Sequence, residues 1–422
     1  MIPLLPWASA GTRLSMRDEV QPEEARTTRA ALISVAAGAS QLPLLRSAKE
    51  LGLAIVALDQ DPDAAGFALC DLAVIASSHD SEEAQGALSK ALATRPDLRP
   101  VCVVTKSSGA PVATAADLAR ALTLPGLCPK RARSLVAKPG QLKFALMAGV
   151  RVPRHCAPPS LGELENTGLK PPLVLKPAAT RVGKQAVTLV TQSSEQSSEM
   201  QARFEEACAA SADGRCEVEE YLPGDDLVIA TLFRDSRVVS MVELDEDTRF
   251  LPSGEVCGFG LSMPSQFCGS EALEETRSAV ERFVGQLELG TGFGLWTFRV
   301  TPSGPPAMLE VHLDLAGDLV TDLLMPRALG VDPISLALGN LLGEPVSFPG
   351  VRQPAALRFL FEGDRQSLEA VNFGKDACLG ELTLYPSVAP GGRIGHVVLE
   401  RDDVAQLSAA IVSLDTALGR VS

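Results

Sequence analysis

From Ala30 to Val104 the sequence alternates uninterrupted apolar runs with stretches of helical spacing, and this alternation narrows the fold more than any other feature. Ala30-Ala31-Leu32-Ile33-Ser34-Val35-Ala36-Ala37 runs into Gly38. Ser40 to Leu51 then places Leu42, Leu45, Ala48 and Leu51 at helical intervals and stops at Gly52. The run Ala54 to Leu58, the loop Asp59-Gln60-Asp61-Pro62-Asp63, a short run Leu72 to Ile75, a helical stretch from about Ser81 and the run Pro100 to Val104 follow. A strand that is apolar along its whole length must be covered on both faces, which is the environment of a parallel sheet between helices. Residues 30–125 are therefore predicted to form a doubly wound α/β domain. Ligands of such sheets lie beyond the carboxyl ends of the strands, so Gly38-Ala39-Ser40-Gln41 and Thr105-Lys106-Ser107-Ser108-Gly109 are candidates to touch a substrate. Gly38 with Asp59 has the spacing of a ribose-binding pair, but only one glycine of a G-x-G-x-x-G turn is present, and a nicotinamide cofactor is not expected.

The chain has 422 residues, enough for two or three domains with buried cores, and its 46% hydrophobic content belongs to a globular protein. A net charge of −14 disfavours a nucleic-acid surface, which needs clustered Lys and Arg, yet leaves room for a nucleotide held by one or two cations. No run approaches the ~20 apolar residues of a bilayer span, so no membrane partner is expected. Met1 to Arg29 reads as a loose tail without the layout of a signal peptide. Nine cysteines are scattered without a C-x-x-C pair, which predicts free thiols and a reducing, cytoplasmic setting. Only four histidines are present, too few and too dispersed for a multi-histidine metal site.

Further along, Lys138 to Met147 is predicted helical, and Leu173-Val174-Leu175 is a strand that delivers Lys176-Pro177. After the loop 178–184 the chain returns through Ala186 to Val190, a hairpin able to fold over a phosphate chain. A polar helix over about 194–211 precedes the strand Glu217 to Leu222, which ends at Pro223-Gly224; Leu227 to Phe233 and Val238 to Leu244 are further strands. A helix over 271–289 leads to a strand Leu295 to Val300, which turns at Pro302-Ser303-Gly304-Pro305 into Met308 to Asp318. In that last stretch Glu310, His312 and Asp314 alternate with Val311, Leu313 and Leu315, so an extended chain would put the three polar groups on one face. A half-solvated strand alone would give the same pattern. Short strands over 356–361 and 392–399 and an end helix over 402–418 complete an α+β C-terminal part.

Taken together, Lys138, the Lys176-Pro177 hairpin, Val218-Glu219-Glu220-Tyr221-Leu222-Pro223-Gly224 and Leu309-Glu310-Val311-His312 resemble the ATP-grasp superfamily. The chain looks most like the carboxylate–amine ligases related to L-amino-acid ligases, with biotin carboxylase and carbamoyl-phosphate synthase as cousins, and the likeness runs from about residue 31 to 420. The resemblance implies an α/β fold in parts: a tail over 1–29, a pre-ATP-grasp domain over 30–125, a two-lobed ATP-grasp domain over 126–345 with its hinge near 219–222, and an α+β subdomain over 346–422. It implies ATP and Mg²⁺ as cofactors. Lys138 and Lys176 would act as point charges on the phosphates, helped by Arg181 and Lys184 from the loop. Glu219, Glu220, Tyr221 and Leu222 would form the ATP-binding hinge, with backbone groups and Glu219 reading the adenine edge, and Asp226 would hold the ribose hydroxyls. Glu310 would hold Mg²⁺, and Arg299, Arg327 or Arg393 would anchor a substrate carboxylate. The implied reaction phosphorylates a carboxylic acid, with an amino acid as the expected substrate, to an acyl phosphate that an amine attacks with release of ADP and phosphate; related enzymes often form homodimers.

The chain departs from the family pattern at the reacting centre. The family reads Glu-x-Asn-x-Arg where this sequence has Glu310-Val311-His312-Leu313-Asp314, and the partner carboxylate about twelve residues upstream falls on Phe298, which cannot ligate. Ala178-Ala179-Thr180-Arg181-Val182-Gly183-Lys184 has a single glycine where the family often has several. One reading is a rearranged site in which Asp314 or Asp318 supplies the lost ligand and His312 acts as ligand or hydrogen-bond donor. The others are a nucleotide-binding protein without catalysis, or a carboxylase-type enzyme acting through carboxyphosphate.

Overall fold

Ala31, Leu32, Ile33 and Val35 are all shielded from solvent although successive residues of a strand face opposite ways. Their strand, β1 (Arg29–Val35), lies inside a four-stranded parallel sheet with β2 (Ala54–Asp59), β3 (Leu72–Ile75) and β4 (Leu98–Val104), ordered β3-β2-β1-β4. Helix α1 (Leu42–Glu50) packs Leu44, Leu45 and Ala48 on the face carrying Leu32, Ile55 and Cys102. Helices α2 (Ser81–Ala93) and α3 (Ala110–Ala121) bring Ala84, Leu88, Ala115 and Leu118 to the face carrying Ile33, Val56 and Val103. The alternation read from the sequence is thus a true two-sided burial. This computed structural model describes residues 28–179, 185–191, 197–370, 380–389 and 392–420. Residues 1–27 of the tail expected over 1–29, together with Arg181 and Lys184 of the expected phosphate loop, lie outside the described residues, and Arg29 already belongs to β1.

Helices α4 (Pro129–Leu135) and α5 (Lys138–Met147) lead to a small lobe. Its antiparallel sheet comprises β5 (His155–Cys156), β6 (Leu173–Pro177), β7 (Thr188–Val190) and β8 (Cys216–Glu220), ordered β5-β8-β6-β7. Helix α6 (Ser197–Ala210) covers one face through Phe204 and Ala207 against Leu173, Leu175, Cys216 and Val218. Because side chains alternate along a strand, the other face receives Lys176, Glu217 and Glu219, all of them buried.

The large lobe is built on β9 (Asp225–Arg234), β10 (Arg237–Phe250), β11 (Val256–Met263), β12 (Gly292–Val300) and β13 (Ala307–His312). Helix α7 (Glu271–Gln286) covers it with Val280, Phe283 and Val284 against Ile229, Phe233, Trp296 and Phe298. Ser270 caps α7 by accepting from the Leu273 amide, and Glu271 and Glu274 in the first turn suit the positive end of the helix dipole. Helices α8 (Met325–Leu329) and α9 (Pro333–Leu341) follow, then β14 (Ala355–Phe361), α10 (Arg365–Ala370), β15 (Glu381–Ala389), β16 (Arg393–Glu400) and α11 (Val404–Ala417). β14 pairs with β11 through Gly260 opposite Arg358 and its neighbours. The C-terminal strands therefore continue the large-lobe sheet, an eight-stranded array ordered β13-β12-β9-β10-β11-β14-β16-β15.

Phe298 is 1% exposed in the core beneath α7. Truncation to alanine is expected to destabilise the fold by about 3–5 kcal/mol through lost contacts and the residual cavity. Denaturant unfolding measures this; a stable Phe298→Ala variant with selectively weakened metal affinity would contradict a packing role.

Candidate functional site

The two lobes and the parallel domain enclose a cleft of about 640 Å³ whose walls include Lys138, Lys176, Glu219 to Leu222, Asp226, Thr297, Arg299 and Glu310. Each wall is held in place by a different local device. Helix α5 begins at Lys138 with a proline in its first turn, and the Lys138 amide donates to the Ala178 carbonyl at 3.0 Å, tying the helix start to the end of β6. The Lys138 ammonium pairs with the Glu310 carboxylate.

One turn further on, Gln141 does something the sequence reading did not single out. β13 is the edge strand of the large sheet, so backbone groups on its outer side lack a strand partner. The Gln141 side-chain amide supplies one: Oε1 accepts from the Val311 amide at 3.1 Å and Nε2 donates to the Val311 carbonyl at 2.9 Å. Helix α5 thereby fixes the backbone between Glu310 and His312. Position i+3 to Lys138 was the available signal, since it lies on the same helix face.

At the hinge, Lys176 forms a buried ion pair with Glu219. Glu220 turns outward, its carboxylate accepting from the Arg154 amide at 2.8 Å and guanidinium at 2.7 Å. Burial works to raise the Glu220 pKa, but these Arg154 bonds outweigh it and hold the carboxyl below its usual range. The Tyr221 ring stands edge-on to Phe250 with centroids 5.7 Å apart. Gly224 has φ +137°, and a Cβ there would lie 1.9 Å from the Val300 carbonyl oxygen, so only glycine lets the hinge pass β12 this closely.

Asp226 and Arg299 face each other across β9 and β12, and Nε donates to Oδ1 at 2.7 Å. Arg299 Nη1 also donates to the Leu222 carbonyl at 2.7 Å. Burial opposes the guanidinium charge, but Asp226 outweighs it and raises the pKa further. Arg299, expected to anchor a substrate carboxylate, is thus placed at the hinge, beside the residues selected for adenine and ribose. Of the other two arginines, Arg327 pairs with Glu400 and Glu381, and Arg393 pairs with Asp318 and lies 3.7 Å over the Phe359 ring.

The carboxylates selected for a metal are not gathered together. β13 ends at His312 and the chain turns away through left-handed backbone at Ala316, Asp318 and Leu319. Asp314 therefore leaves the strand face shared by Glu310 and His312. Its buried carboxylate accepts from the Ser108 hydroxyl at 2.6 Å and the Ala316 amide at 2.8 Å. Among the described residues no group of three or more His, Cys, Asp and Glu is arranged around a metal position. A bulge between Thr297 and Phe298 sets Thr297 opposite Glu310 and Phe298 opposite Met308. Mg²⁺ needs only one or two protein carboxylates when phosphate oxygens complete its shell. Glu310, with the Thr297 hydroxyl across from it, fits such a cation; Asp314 and Asp318 are engaged elsewhere.

His312 Nε2 lies 3.6 Å from Glu310 Oε1. Burial disfavours its charge, yet Glu310 and then Asp314 overcome that and push the imidazole up to about 8.

On the parallel-domain side, Lys106 is a bracket rather than a free cation. Its Nζ donates to the Leu315 and Ala316 carbonyls, Thr321 Oγ1 and Asp322 Oδ1 at 2.7–3.1 Å, which ties the turn after β13 to the end of β4. Gln41 accepts from the Lys106 amide at 2.9 Å and donates to Ser107 Oγ at 3.0 Å. Asp59 accepts from the Ala37 amide at 2.8 Å and the Asp61 amide at 3.1 Å, closing its own turn.

No protein-family model matches the chain, and no curated protein sequence matches it. Solved structures do. Carboxyaminoimidazole ribonucleotide synthase from Aspergillus clavatus, complexed with ATP, is 14% identical with a TM-score of 0.71, covering 94% of this chain and 100% of that one. L-amino acid ligase from Bacillus licheniformis is 19% identical with a TM-score of 0.68, covering 93% and 98%. Phosphoribosylglycinamide synthetase from Anaerococcus prevotii is 16% identical with a TM-score of 0.65, covering 92% and 98%. At such identities the likeness establishes the fold. The chain has the ATP-grasp fold, as the resemblance in its sequence implied.

Proposed function

We propose that this chain is an ATP- and Mg²⁺-dependent ligase that joins a carboxylic acid, an amino acid by preference, to an amine. The observation that carries the proposal is the convergence of Lys138, Lys176, the Glu219–Leu222 hinge, Asp226 and Glu310 on one cleft. In this reading Lys176 and Lys138 leave their carboxylate partners to meet the phosphates, the hinge backbone reads the adenine edge, and Asp226, oriented by Arg299, meets the ribose. Mg²⁺, when bound, offsets phosphate charge during transfer, and Glu310 is the carboxylate that would hold it. The transferred phosphoryl activates the acid as an acyl phosphate, and the amine displaces phosphate to give the amide. Support for the nucleotide comes from the ATP complex of the Aspergillus synthase, and support for the bond formed comes from the Bacillus L-amino acid ligase.

Thr297 opposite Glu310 and the engaged Asp314 favour a second reading, nucleotide binding without catalysis. The carboxyaminoimidazole synthases among the structural neighbours make bicarbonate activation through carboxyphosphate a third. Calorimetry with ATP, with and without Mg²⁺, tests the shared premise. Loss of the charged Lys176 contact is expected to weaken binding about 10- to 100-fold in Lys176→Ala, the equivalent of about 1.5–3 kcal/mol. Absence of binding to the wild-type protein under any condition would sink all three readings. ADP release with a panel of acids and amines identifies the ligase; release with bicarbonate and no amine identifies the carboxylase, and none with any pair leaves the binding protein.

A further inference from the structure

Lys176 has two carboxylates around it, and only one is its partner. Glu219 forms the ion pair, whereas Glu217 stands directly across from Lys176 in the β6–β8 register. Glu217 is 1% exposed, and neither of its carboxylate oxygens has a hydrogen-bond partner among the described residues. A carboxylate buried in that state is costly unless neutralised. The charged groups facing it are Lys176 from β6, Glu219 from β8, Arg215 just before β8 and Lys138 from α5. Burial first, and the Glu219 charge second, push its pKa up to about 8 against the opposing pull of the three cations. The proposed function uses Lys176 and Glu219 and has no use for this group.

We infer that Glu217 is a proton-carrying member of the nucleotide site, taking up a proton from solvent onto its carboxylate as the nucleotide phosphates draw Lys176 away. The inference rests on the nucleotide reading of the cleft. In the structure one lysine stands between two carboxylates. Bound phosphates add negative charge and remove that lysine from Glu217, so the carboxyl holds its proton more tightly with ligand than without. Linkage then fixes the direction: affinity is flat where Glu217 is already protonated, below about pH 7, and falls as pH rises through 8, by at most about tenfold per unit for one proton. Glu217 thus couples nucleotide affinity to pH through a residue that does not line the cleft itself.

Two measurements test this. The first is the stability of the ligand-free protein against Glu217→Gln, which cannot ionise. Because the folded-state pKa lies above the ordinary carboxyl value, stability is lost as pH rises between the two. The advantage of Glu217→Gln over wild type should therefore grow from pH 5 to 8 and level off above 8; a difference independent of pH would overturn the inference. The second is calorimetry of Mg-ATP binding at pH 8–8.5 in buffers of different ionisation enthalpy. Wild type should take up a fraction of a proton per nucleotide, and Glu217→Gln should bind without uptake and with affinity flat in pH. Binding without proton uptake by wild type would overturn the inference and leave the nucleotide reading standing. No binding at any pH would overturn both, and the stability series would still show whether Glu217 is neutral in the fold.

Discussion

Glu310→Ala is expected to abolish the Mg²⁺ dependence of nucleotide binding and to reduce turnover by at least about 10²–10³-fold, the scale of losing one preorganised electrostatic group. The argument starts from what Glu310 touches. Its side chain is 20% exposed and pairs with Lys138, itself 12% exposed, on a strand whose backbone Gln141 clamps. Glu310 therefore neutralises a lysine that the proposed reaction needs on the phosphates. Removing the carboxylate frees that lysine, so metal-free nucleotide should bind Glu310→Ala as tightly as wild type or more tightly. Only the metal-dependent increment should vanish. This divergence separates a metal-holding residue from one that merely shapes the cleft. Glu310→Gln, which keeps the volume and loses the charge, should behave like the alanine variant. Calorimetry with and without Mg²⁺ reads the first effect, and ADP release reads the second. An unchanged Mg²⁺ increment in either variant would remove Glu310 from the metal position. The stability change should stay within about 1–3 kcal/mol, the range for leaving one partner of a partly buried pair unsatisfied.

Much of this architecture could be read in the sequence, and what could not shares a physical origin. The parallel domain was legible because a doubly covered strand must be almost wholly apolar, as Ala54 to Leu58 is and as Ala31 to Val35 is but for Ser34, whose buried hydroxyl donates to the Ala36 carbonyl. Lys176 was legible because a charge that ends an apolar strand needs a partner, although the partner found here is Glu219. Period-two alternation from Glu310 to Asp314 read as a continuous strand. It cannot register that the Ser108 hydroxyl, about 200 residues away in sequence, turns Asp314 out of line. The bulge that sets Thr297, and not Phe298, against Glu310 is invisible to any count along the chain, since a single extra residue shifts the register without altering the pattern. Arg299 read as a candidate anchor for a substrate carboxylate, and no spacing along the chain shows that β9 places Asp226 beside it. The same limit hid β11 and β15, as well as the continuity of the C-terminal strands with the large sheet, which rests on the pairing of β11 with β14. Local spacing encodes which faces are buried; which strands meet is decided by residues far apart.

That continuity is secured by a buried ionic network, and Asp415→Ala is expected to destabilise the protein by about 3–5 kcal/mol, the cost of breaking a buried pair from one side. Arg358 on β14 is 3% exposed and Asp415 on α11 is 2% exposed. Arg358 Nη2 donates to both oxygens of Asp415 at 2.9 and 2.7 Å, and Nη1 donates to Asp247 of β10 at 2.7 Å. Arg249 joins both aspartates from β10. One guanidinium thus connects the last helix, a C-terminal strand and the large lobe that carries the hinge. Truncating Asp415 leaves Arg358 buried with half its partners, whereas replacing both with apolar residues of similar size, as in Arg358→Met with Asp415→Leu, removes the uncompensated charge and should recover most of the loss. Urea unfolding of the two single variants and the pair measures the coupling; a double variant as unstable as the sum of the singles would deny it. The network should also be acid-sensitive. Burial raises the Asp247 pKa, but Arg249 and Arg358 outweigh it and hold the carboxyl below its usual value. A depressed folded-state pKa contributes stability that is complete above the ordinary carboxyl range, near pH 4, and is lost as pH falls through the lower folded value. The advantage of wild type over Asp247→Asn should therefore be constant from pH 7 to 5 and shrink below pH 4. If that advantage is unchanged at pH 3, Asp247 is not among the charges that fasten the C-terminal strands to the lobe.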